Sequence, residues 1–111
     1  MSFSVEITSY FKKQAKFLLK KYPSLKGELE TLIDKLEVDP IREGTDLGAH
    51  CYKVRISIAS KNKGKSGGAR VIIHERVSHQ LVYLLSVFDR GNQDSISDSE
   101  IKAFVDLIPK P

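Results

Sequence analysis

The stretch that decides the fold is CYKVRISIASKNKGKSGGARVIIHERVSHQLVYLLSVF, residues 51–88. Its first part alternates between apolar and polar residues, which is typical of a half-buried β-strand. One side carries Tyr52, Val54, Ile56 and Ile58, and the other carries Lys53, Arg55 and Ser57. The glycine-rich residues 60–68 then predict a turn back into a second strand.

The second predicted strand covers residues 69–76, with Val71 and Ile73 on one face and Arg70, Ile72 and His74 on the other. After a short turn near Ser78, residues 81–88 are apolar on both faces, which indicates a strand covered on both sides. The connections among these three strands are short, so we expect them to pair antiparallel.

Upstream, residues 3–8 alternate like a first strand, and residues 41–50 resemble a loop. Between them lie two apolar stripes with helical spacing, separated by Pro23 and a possible N-cap at Ser24. The stripes consist of Phe11, Ala15, Leu18, Leu19 and Tyr22, and of Leu25, Leu29, Leu32, Ile33 and Leu36. We expect these helices to form a hairpin that ends at Asp39.

Downstream, residues 89–96 are polar, and Ser97 with Glu100 forms a capping box that begins a last helix. Its inward residues are Ile101, Phe104, Val105 and Ile108. The predicted order is β-α-α-β-β-β-α in an α+β fold, with helices on one face of a curved antiparallel sheet. We expect residues 1–111 to form a single domain.

The chain carries a formal charge of +4 and has a pI of about 9.2, which favours an anionic partner. The charge is concentrated, because no acidic residue occurs between Asp46 and Glu75. The same interval contains Lys53, Arg55, Lys61, Lys63, Lys65 and Arg70. The lone Cys51, the lack of an apolar run long enough to span a membrane, and an alternating N-terminus without the apolar core of a signal peptide predict a cytoplasmic protein.

The triplet Gly64-Lys65-Ser66 resembles the end of a nucleotide-binding P-loop. The first glycine of that motif would stand at position 59, which is Ala59, and the following segment predicts a strand instead of a helix. A P-loop needs a helix N-terminus to hold phosphate, so this interpretation is rejected.

The histidines and the cysteine offer weaker candidates. His50, His74 and His79 lack partners at a familiar metal-ligand spacing, although Cys51 is adjacent to His50. The strand of Cys51 carries no obvious base, and isolated thiols are usually inert. We therefore expect no metal site, no cofactor and no cysteine nucleophile.

The basic residues are the strongest candidates. Lys53 and Arg55 leave the same face of one strand about 7 Å apart, opposite the apolar face. Arg70 lies near the start of the next strand, and Arg90 follows the third. Such a group can grip a phosphate, although lysine and arginine are also ordinary on a solvated sheet face.

The chain resembles the RelE/HigB superfamily of bacterial toxins from type II toxin–antitoxin modules. The resemblance covers nearly the whole chain, and its most specific pieces are YKVRI (52–56), GKSGGAR (64–70) and YLLSVFDR (83–90). It implies a ribosome-dependent endoribonuclease that cuts mRNA in the ribosomal A site. It also implies a metal-free reaction, in which the RNA 2′-hydroxyl attacks the adjacent phosphate, and an inhibitory partner antitoxin.

The resemblance carries four residues over as catalytic: Lys53, Arg55, Arg70 and Arg90. Arg70, assisted by Arg90, would stabilise charge on the phosphate, and Arg55 would hold the RNA backbone. Lys53 would serve as base, because neighbouring positive charges disfavour a further proton on its amine. In addition, we expect Lys61, Lys63 and Lys65 to grip rRNA or mRNA phosphates without reading sequence.

The sequence departs from the family at one position. Some members place a tyrosine or histidine near the start of the last helix, where this chain has NQDSIS (92–97) with Ile96 nearest. The leaving oxygen would then depend on protonated Lys53, on Arg70 acting electrostatically, or on His74. Two alternatives remain open: a ParE-like toxin that binds DNA gyrase without cleavage, and an inactive relative that binds RNA or a partner.

The antitoxin would cover an apolar groove, to which Tyr10, Phe17 and Tyr22 could contribute, unless they pack in the core.

Overall fold

The structure is a computed structural model that describes residues 2–39, 44–58, 68–89 and 96–108. Its elements in chain order are β1 (Ser4–Ile7), α1 (Ser9–Lys21), α2 (Leu25–Val38), β2 (Thr45–Gly48), β3 (Cys51–Ile56), β4 (Ala69–Arg76), a short 3-10 turn (Val77–His79), β5 (Leu81–Asp89) and α3 (Asp98–Asp106). The predicted α+β class and the order of the predicted elements are confirmed.

The five strands form one sheet in the order β1-β5-β4-β3-β2. The last three strands pair antiparallel, as their short connections predict. The sheet is mixed, however, because β1 runs parallel to β5, with Val5 beside Val82. The fully antiparallel sheet expected from the sequence is therefore wrong at β1. The reason is that the α1–α2 hairpin carries the chain from β1 to β2 at the opposite edge, and the antiparallel strands β2 to β5 then bring β5 beside β1 in the same direction.

The segment 41–50 also differs from its prediction as a loop. Thr45–Gly48 forms the short edge strand β2, which pairs with β3 across a tight turn. Ala49 and His50 complete this turn with φ values of +52° and +59°. Two-residue hairpin turns with positive φ usually contain glycine, asparagine or aspartate. Alanine and histidine rarely adopt such φ values, so the sequence lacks the usual signal for a hairpin here.

The two long helices begin in different ways. The Thr8 side chain caps α1 by accepting a hydrogen bond from the Phe11 amide. The predicted Ser24 position does precede α2, but its side chain makes no capping hydrogen bond. Both helices lay their apolar stripes on one face of the sheet, where Phe11, Leu25 and many others form the larger core.

The helix α3 lies on the opposite face, which corrects the expectation that all helices share one face. It begins with the predicted capping box of Ser97 and Glu100. Ile101 of α3 and Ile108, just after the helix, pack with Ile72 and Phe88 in a second, smaller core. The sheet can support two cores because β4 and β5 are buried along almost their whole length.

Gln14 closes the part of the sheet edge that β1 leaves open. Its Oε1 accepts hydrogen bonds from the Ser86 hydroxyl at 2.9 Å and from the Val87 amide at 3.0 Å. An exposed strand edge is a template for pairing with another chain. The Gln14 side chain satisfies the Val87 amide and covers this part of the β5 edge, so that another strand cannot pair there. Within the described residues, no helix is long and apolar enough to cross a membrane.

Candidate functional site

The candidate site lies on the face of the sheet opposite the α1–α2 hairpin. Arg55 of β3 is directly paired with Arg70 of β4, and Lys53 is paired with Ile72. Directly opposed side chains have Cβ atoms about 5 Å apart, and diagonal neighbours such as Lys53 and Arg70 are about 7–8 Å apart. The structure therefore brings three of the four predicted catalytic residues together.

The alternation of β3 and β4 explains this grouping. Val54 and Ile56 of β3, and Val71 and Ile73 of β4, are buried under the helical hairpin. Because successive side chains of a strand point to opposite faces, burial of these residues directs the basic ones to the other face. A register shift of one residue would move the cations into the main core, so the register is strongly specified.

Gly68 helps to fix that register. A Cβ atom at this position would overlap the backbone oxygen of Ile56 and lie 2.9 Å from the Cα of Ser57. The backbones of the two strands thus approach too closely here for any other residue. Ala69 follows and pairs with Ile56, which places Arg70 opposite Arg55.

The three cations differ in exposure. Arg55 is exposed and Lys53 is half-buried, whereas Arg70 is only 2% exposed. One Arg70 nitrogen, Nη1, donates to the carbonyl of Ala69 at 3.3 Å. A phosphate could contact Arg55 in this conformation, but contact with the Arg70 guanidinium would require neighbouring groups to move.

Two neighbours of the site could not be identified from the sequence. Phe88 pairs directly with Arg70 from β5 and is buried in the α3 core, so an aromatic residue is the neighbour of Arg70 across the strands. Thr45 pairs with Lys53 from β2 and is exposed. Thr45 lies in the segment predicted to be a loop, and Phe88 lies in a uniformly apolar run. The sequence therefore did not indicate that either residue lies beside the cations.

The remaining predicted residues cannot be placed. Arg90 and the lysines Lys61, Lys63 and Lys65 lie outside the described residues. Ile96, at the position where the family resemblance leads one to look for an acid, is half-buried and packs against the α3 core. It contributes packing there and cannot donate a proton.

The fold places a potential base, His74, beside Cys51, although the strand of Cys51 itself carries none. The Cys51 Sγ lies 3.5 Å from Nδ1 of His74, directly across on β4. Burial, with a smaller contribution from Asp46, raises the pKa of Cys51 to about 11. Burial, together with the charge of Arg76, lowers the pKa of His74. Both shifts favour the neutral forms, so this pair is not an activated thiolate.

The ring of His50 lies edge-on to His74 at 6.4 Å, which completes a small cluster at the β2–β3 turn. Within the described ranges, however, no three histidine, cysteine or acidic side chains converge as a metal site requires. The chemistry available on this face is therefore that of clustered cations, which suits binding of a phosphodiester and stabilisation of its developing charge.

A solved structure of E. coli toxin RelE, an arginine-to-alanine double mutant in the free state, matches this fold with a TM-score of 0.63. The match covers 93% of this chain and 98% of that one, at 14% identity. A search among curated proteins finds no match. A family model described as the RelE toxin of the RelE/RelB toxin–antitoxin system matches residues 8–109. The chain therefore belongs to the RelE toxin family.

Proposed function

We propose that this RelE-family toxin is a ribosome-dependent mRNA endoribonuclease in which residues 1–111 act as a single toxin domain. The observation that carries the proposal is the grouping of Lys53, Arg55 and Arg70 on one face of the sheet. The three cations are directly opposed or diagonal neighbours on adjacent strands, a density of positive charge that favours an anionic ligand such as a phosphodiester.

The reaction that suits these groups is an internal transesterification of RNA. The 2′-oxygen loses its proton and bonds to the adjacent phosphorus, while the bond from phosphorus to the 5′-oxygen breaks. The departing 5′-oxygen takes up a proton, which leaves a 2′,3′-cyclic phosphate and a 5′-hydroxyl. No electron transfer occurs, and the protein must only position the phosphate and move protons.

Each described cation then has a role in the proposal. Arg55, the most exposed, meets the RNA backbone first. Arg70 stabilises charge on the phosphate, and it stays protonated throughout because arginine cannot act as a base. Lys53, diagonal to Arg70, is the candidate base for the 2′-hydroxyl. Arg90 is proposed to assist Arg70, and the lysines Lys61, Lys63 and Lys65 to hold rRNA or mRNA.

The burial of Arg70 adds a requirement to this scheme. The side chain is nearly closed off, with Phe88 of the α3 core directly beside it. Productive binding must therefore uncover the guanidinium before it can contact RNA. We propose that the ribosome-bound mRNA supplies the interactions that favour this open form, which would account for the proposed dependence on the ribosome.

The test is cleavage of a defined mRNA on purified translating ribosomes, read by mapping new 5′ ends. We expect Arg70→Ala to reduce cleavage at least 100-fold, the range found when one oxyanion-stabilising donor is removed. Arg55→Gln, at an exposed position, provides a second variant that leaves folding intact. Lys102→Ala, which removes an exposed cation on α3, is the matched control and should cleave normally.

Absence of cleavage by the wild-type protein, or equal cleavage by Arg70→Ala, would contradict the nuclease proposal. Gyrase-linked DNA breaks in cells expressing the protein would instead select the gyrase-binding alternative. Ribosome pelleting separates binding from chemistry: Arg70→Ala should still sediment with ribosomes, whereas loss of the lysines at 61, 63 and 65 should weaken sedimentation.

A further inference from the structure

A slot lies between α3 and the β2–β3 turn, on the same side of the sheet as the candidate site. Its volume is about 430 Å³, and the apolar side chains that line it belong to Leu47, Ala49, Ile101 and Val105. Leu47 packs against the α3 core, which places the slot on that side. A cavity of roughly 150 Å³ holds a benzene-sized group, so the slot has room for a larger planar ring and part of an attached sugar.

The β2–β3 turn keeps this slot open. Gly48 and Ala49 line it, and neither residue carries a side chain larger than a methyl group. Both have positive φ values, and a Cβ atom added to Gly48 would meet no heavy atom beyond its chain neighbours within 4 Å. The branched side chains of Ile101 and Val105 line the slot from α3. Apolar side chains on both sides of a slot can contact the two faces of a planar base.

The slot adjoins the cationic face, which is formed by Lys53, Arg55 and Arg70. Thr45 of β2 pairs with Lys53, and Leu47 follows Thr45 by two residues on the same strand. Two residues of an extended strand span about 7 Å, so the slot begins about that far from the strand position of Lys53. A phosphate at the cationic face and a base in the slot can therefore belong to neighbouring nucleotides of one RNA strand, whose unstacked bases can be splayed apart.

One acidic side chain limits what the slot can accept. Asp98 lines it and is exposed, and the capping box of α3 uses Ser97 and Glu100 instead of Asp98. A carboxylate repels phosphate, and when ionised it can only accept hydrogen bonds. It therefore favours a base with an exocyclic amino group, as in its pairing with the N4 amino group of cytosine. Uracil is disfavoured, because its single N–H donor lies between two carbonyl oxygens.

Lys102 also lines the slot, one helical turn after Asp98. It is exposed, so its attraction for RNA is weak and screened by salt. A flexible ammonium in solvent does not by itself favour one base over another. Lys102→Ala should therefore leave base preference unchanged.

We propose that this opening, the β2–α3 slot, binds an amino-bearing base of the nucleotide next to the phosphate held by the cationic face. Asp98 accepts a hydrogen bond from the amino group, and the apolar side chains contact the faces of the ring. The inference deepens the proposed function, because it rests on the cationic face binding RNA. It adds a source of sequence preference, which cations that contact only phosphates cannot provide.

The probes are 2′-O-methyl trinucleotides of cytosine, of adenine and of uracil, which cannot be cleaved because the attacking hydroxyl is blocked. Each is titrated into isotope-labelled full-length protein, and the amide resonances are followed by NMR. We expect the cytosine and adenine probes to shift the amides of Gly48 and Ala49 and to bind about fivefold more tightly than the uracil probe. The amide of Gly27, on α2 across the sheet, should not move.

The decisive variant is Asp98→Asn, because an asparagine amide both donates and accepts and can therefore pair with uracil as well. It should reduce the preference for cytosine over uracil to less than about twofold. Asp106→Asn removes the same charge from an exposed position of α3 that does not line the slot, and it should keep the wild-type preference. A purely structural role of Asp98 at the helix start would change stability without changing this preference.

Equal affinity of the wild type for the three probes, or equal loss of preference in the two aspartate variants, would overturn the proposal. Unshifted amides at Gly48 and Ala49 would overturn it as well. If the amides of Lys53 and Arg55 shift in that case, the cationic site stands and only the slot is refuted. Shifts at the slot in a protein that cleaves no mRNA would support the slot and contradict the nuclease proposal instead.

Discussion

Arg55 and Arg70 lie directly opposite each other on adjacent antiparallel strands, on the face that α1 and α2 do not cover. Like charges at directly opposed positions of a sheet destabilise it. Arg70 is nearly buried, which raises the cost of placing a second cation beside it. A phosphate bound beside Arg55 and Arg70 would offset this repulsion.

This pair predicts a trade between stability and activity. Arg55→Gln should stabilise the free protein by about 0.5 kcal/mol, because it removes the repulsion across the strands. The same substitution should reduce mRNA cleavage at least tenfold. Urea unfolding at low salt measures the first effect, and 5′-end mapping measures the second. A less stable variant, or one that cleaves normally, would count against the pair as an anion site.

Two glycines should respond oppositely to alanine. Gly68→Ala places a methyl group against the Ile56 backbone and should destabilise the protein by about 3 kcal/mol, the upper range for overpacking. Gly27 of α2 has nothing within 4 Å, so Gly27→Ala should stabilise by about 0.5–1 kcal/mol through helix propensity. Thermal unfolding of both variants tests the close approach that fixes the register of Arg70. Similar effects of the two substitutions would show that the strands can separate at Gly68.

The β2–β3 turn offers a second pair of substitutions with opposite expected effects on stability. Ala49 has a φ of +52°, and the left-handed region costs a residue with a Cβ about 1–2 kcal/mol. Ala49→Gly should therefore raise stability by about 0.5–1 kcal/mol after the flexibility of glycine in the unfolded chain is counted. Gly48 has a φ of +88°, so Gly48→Ala should destabilise. Chemical denaturation measures both, and a loss of stability in Ala49→Gly would indicate that the turn is not strained.

His74 should make stability depend on pH. Burial lowers its pKa in the folded state, so below the unfolded value of about 6.5 the unfolded chain binds a proton that the folded chain resists. Stability should therefore fall as the pH drops through that window, with a slope of up to about 1.4 kcal/mol per pH unit. The measurement is urea unfolding between pH 7.5 and 5.

The comparison with His74→Gln isolates this contribution. Glu75 acts in the opposite direction, because burial raises its pKa and its proton stabilises the folded state as pH falls. Glu75 is present in both proteins, so its effect cancels in the difference. The difference in stability between wild type and His74→Gln should shrink as the pH falls. A difference that is constant with pH would show that His74 does not titrate differently on folding.

The helices and the central strands could be predicted from the sequence because the patterns that mark them lie within each segment. Repeats of two and of 3.6 residues show which side of each element is buried, and the capping box at Ser97 marks where α3 begins. The same alternation places Lys53 and Arg55 together on the side of β3 that faces away from α1 and α2. Half of the candidate site is thus determined within six residues of sequence.

Only the tertiary structure decided how the two outer strands and α3 join the three central strands. The parallel β1–β5 pair, the edge strand β2 and the location of α3 depend on contacts between residues far apart in the chain. The register that sets Arg70 against Arg55, and Phe88 against Arg70, comes from core packing and from the contact of Gly68 with Ile56. Local periodicity shows which face a side chain occupies, but the neighbour across a strand depends on how the whole sheet is assembled.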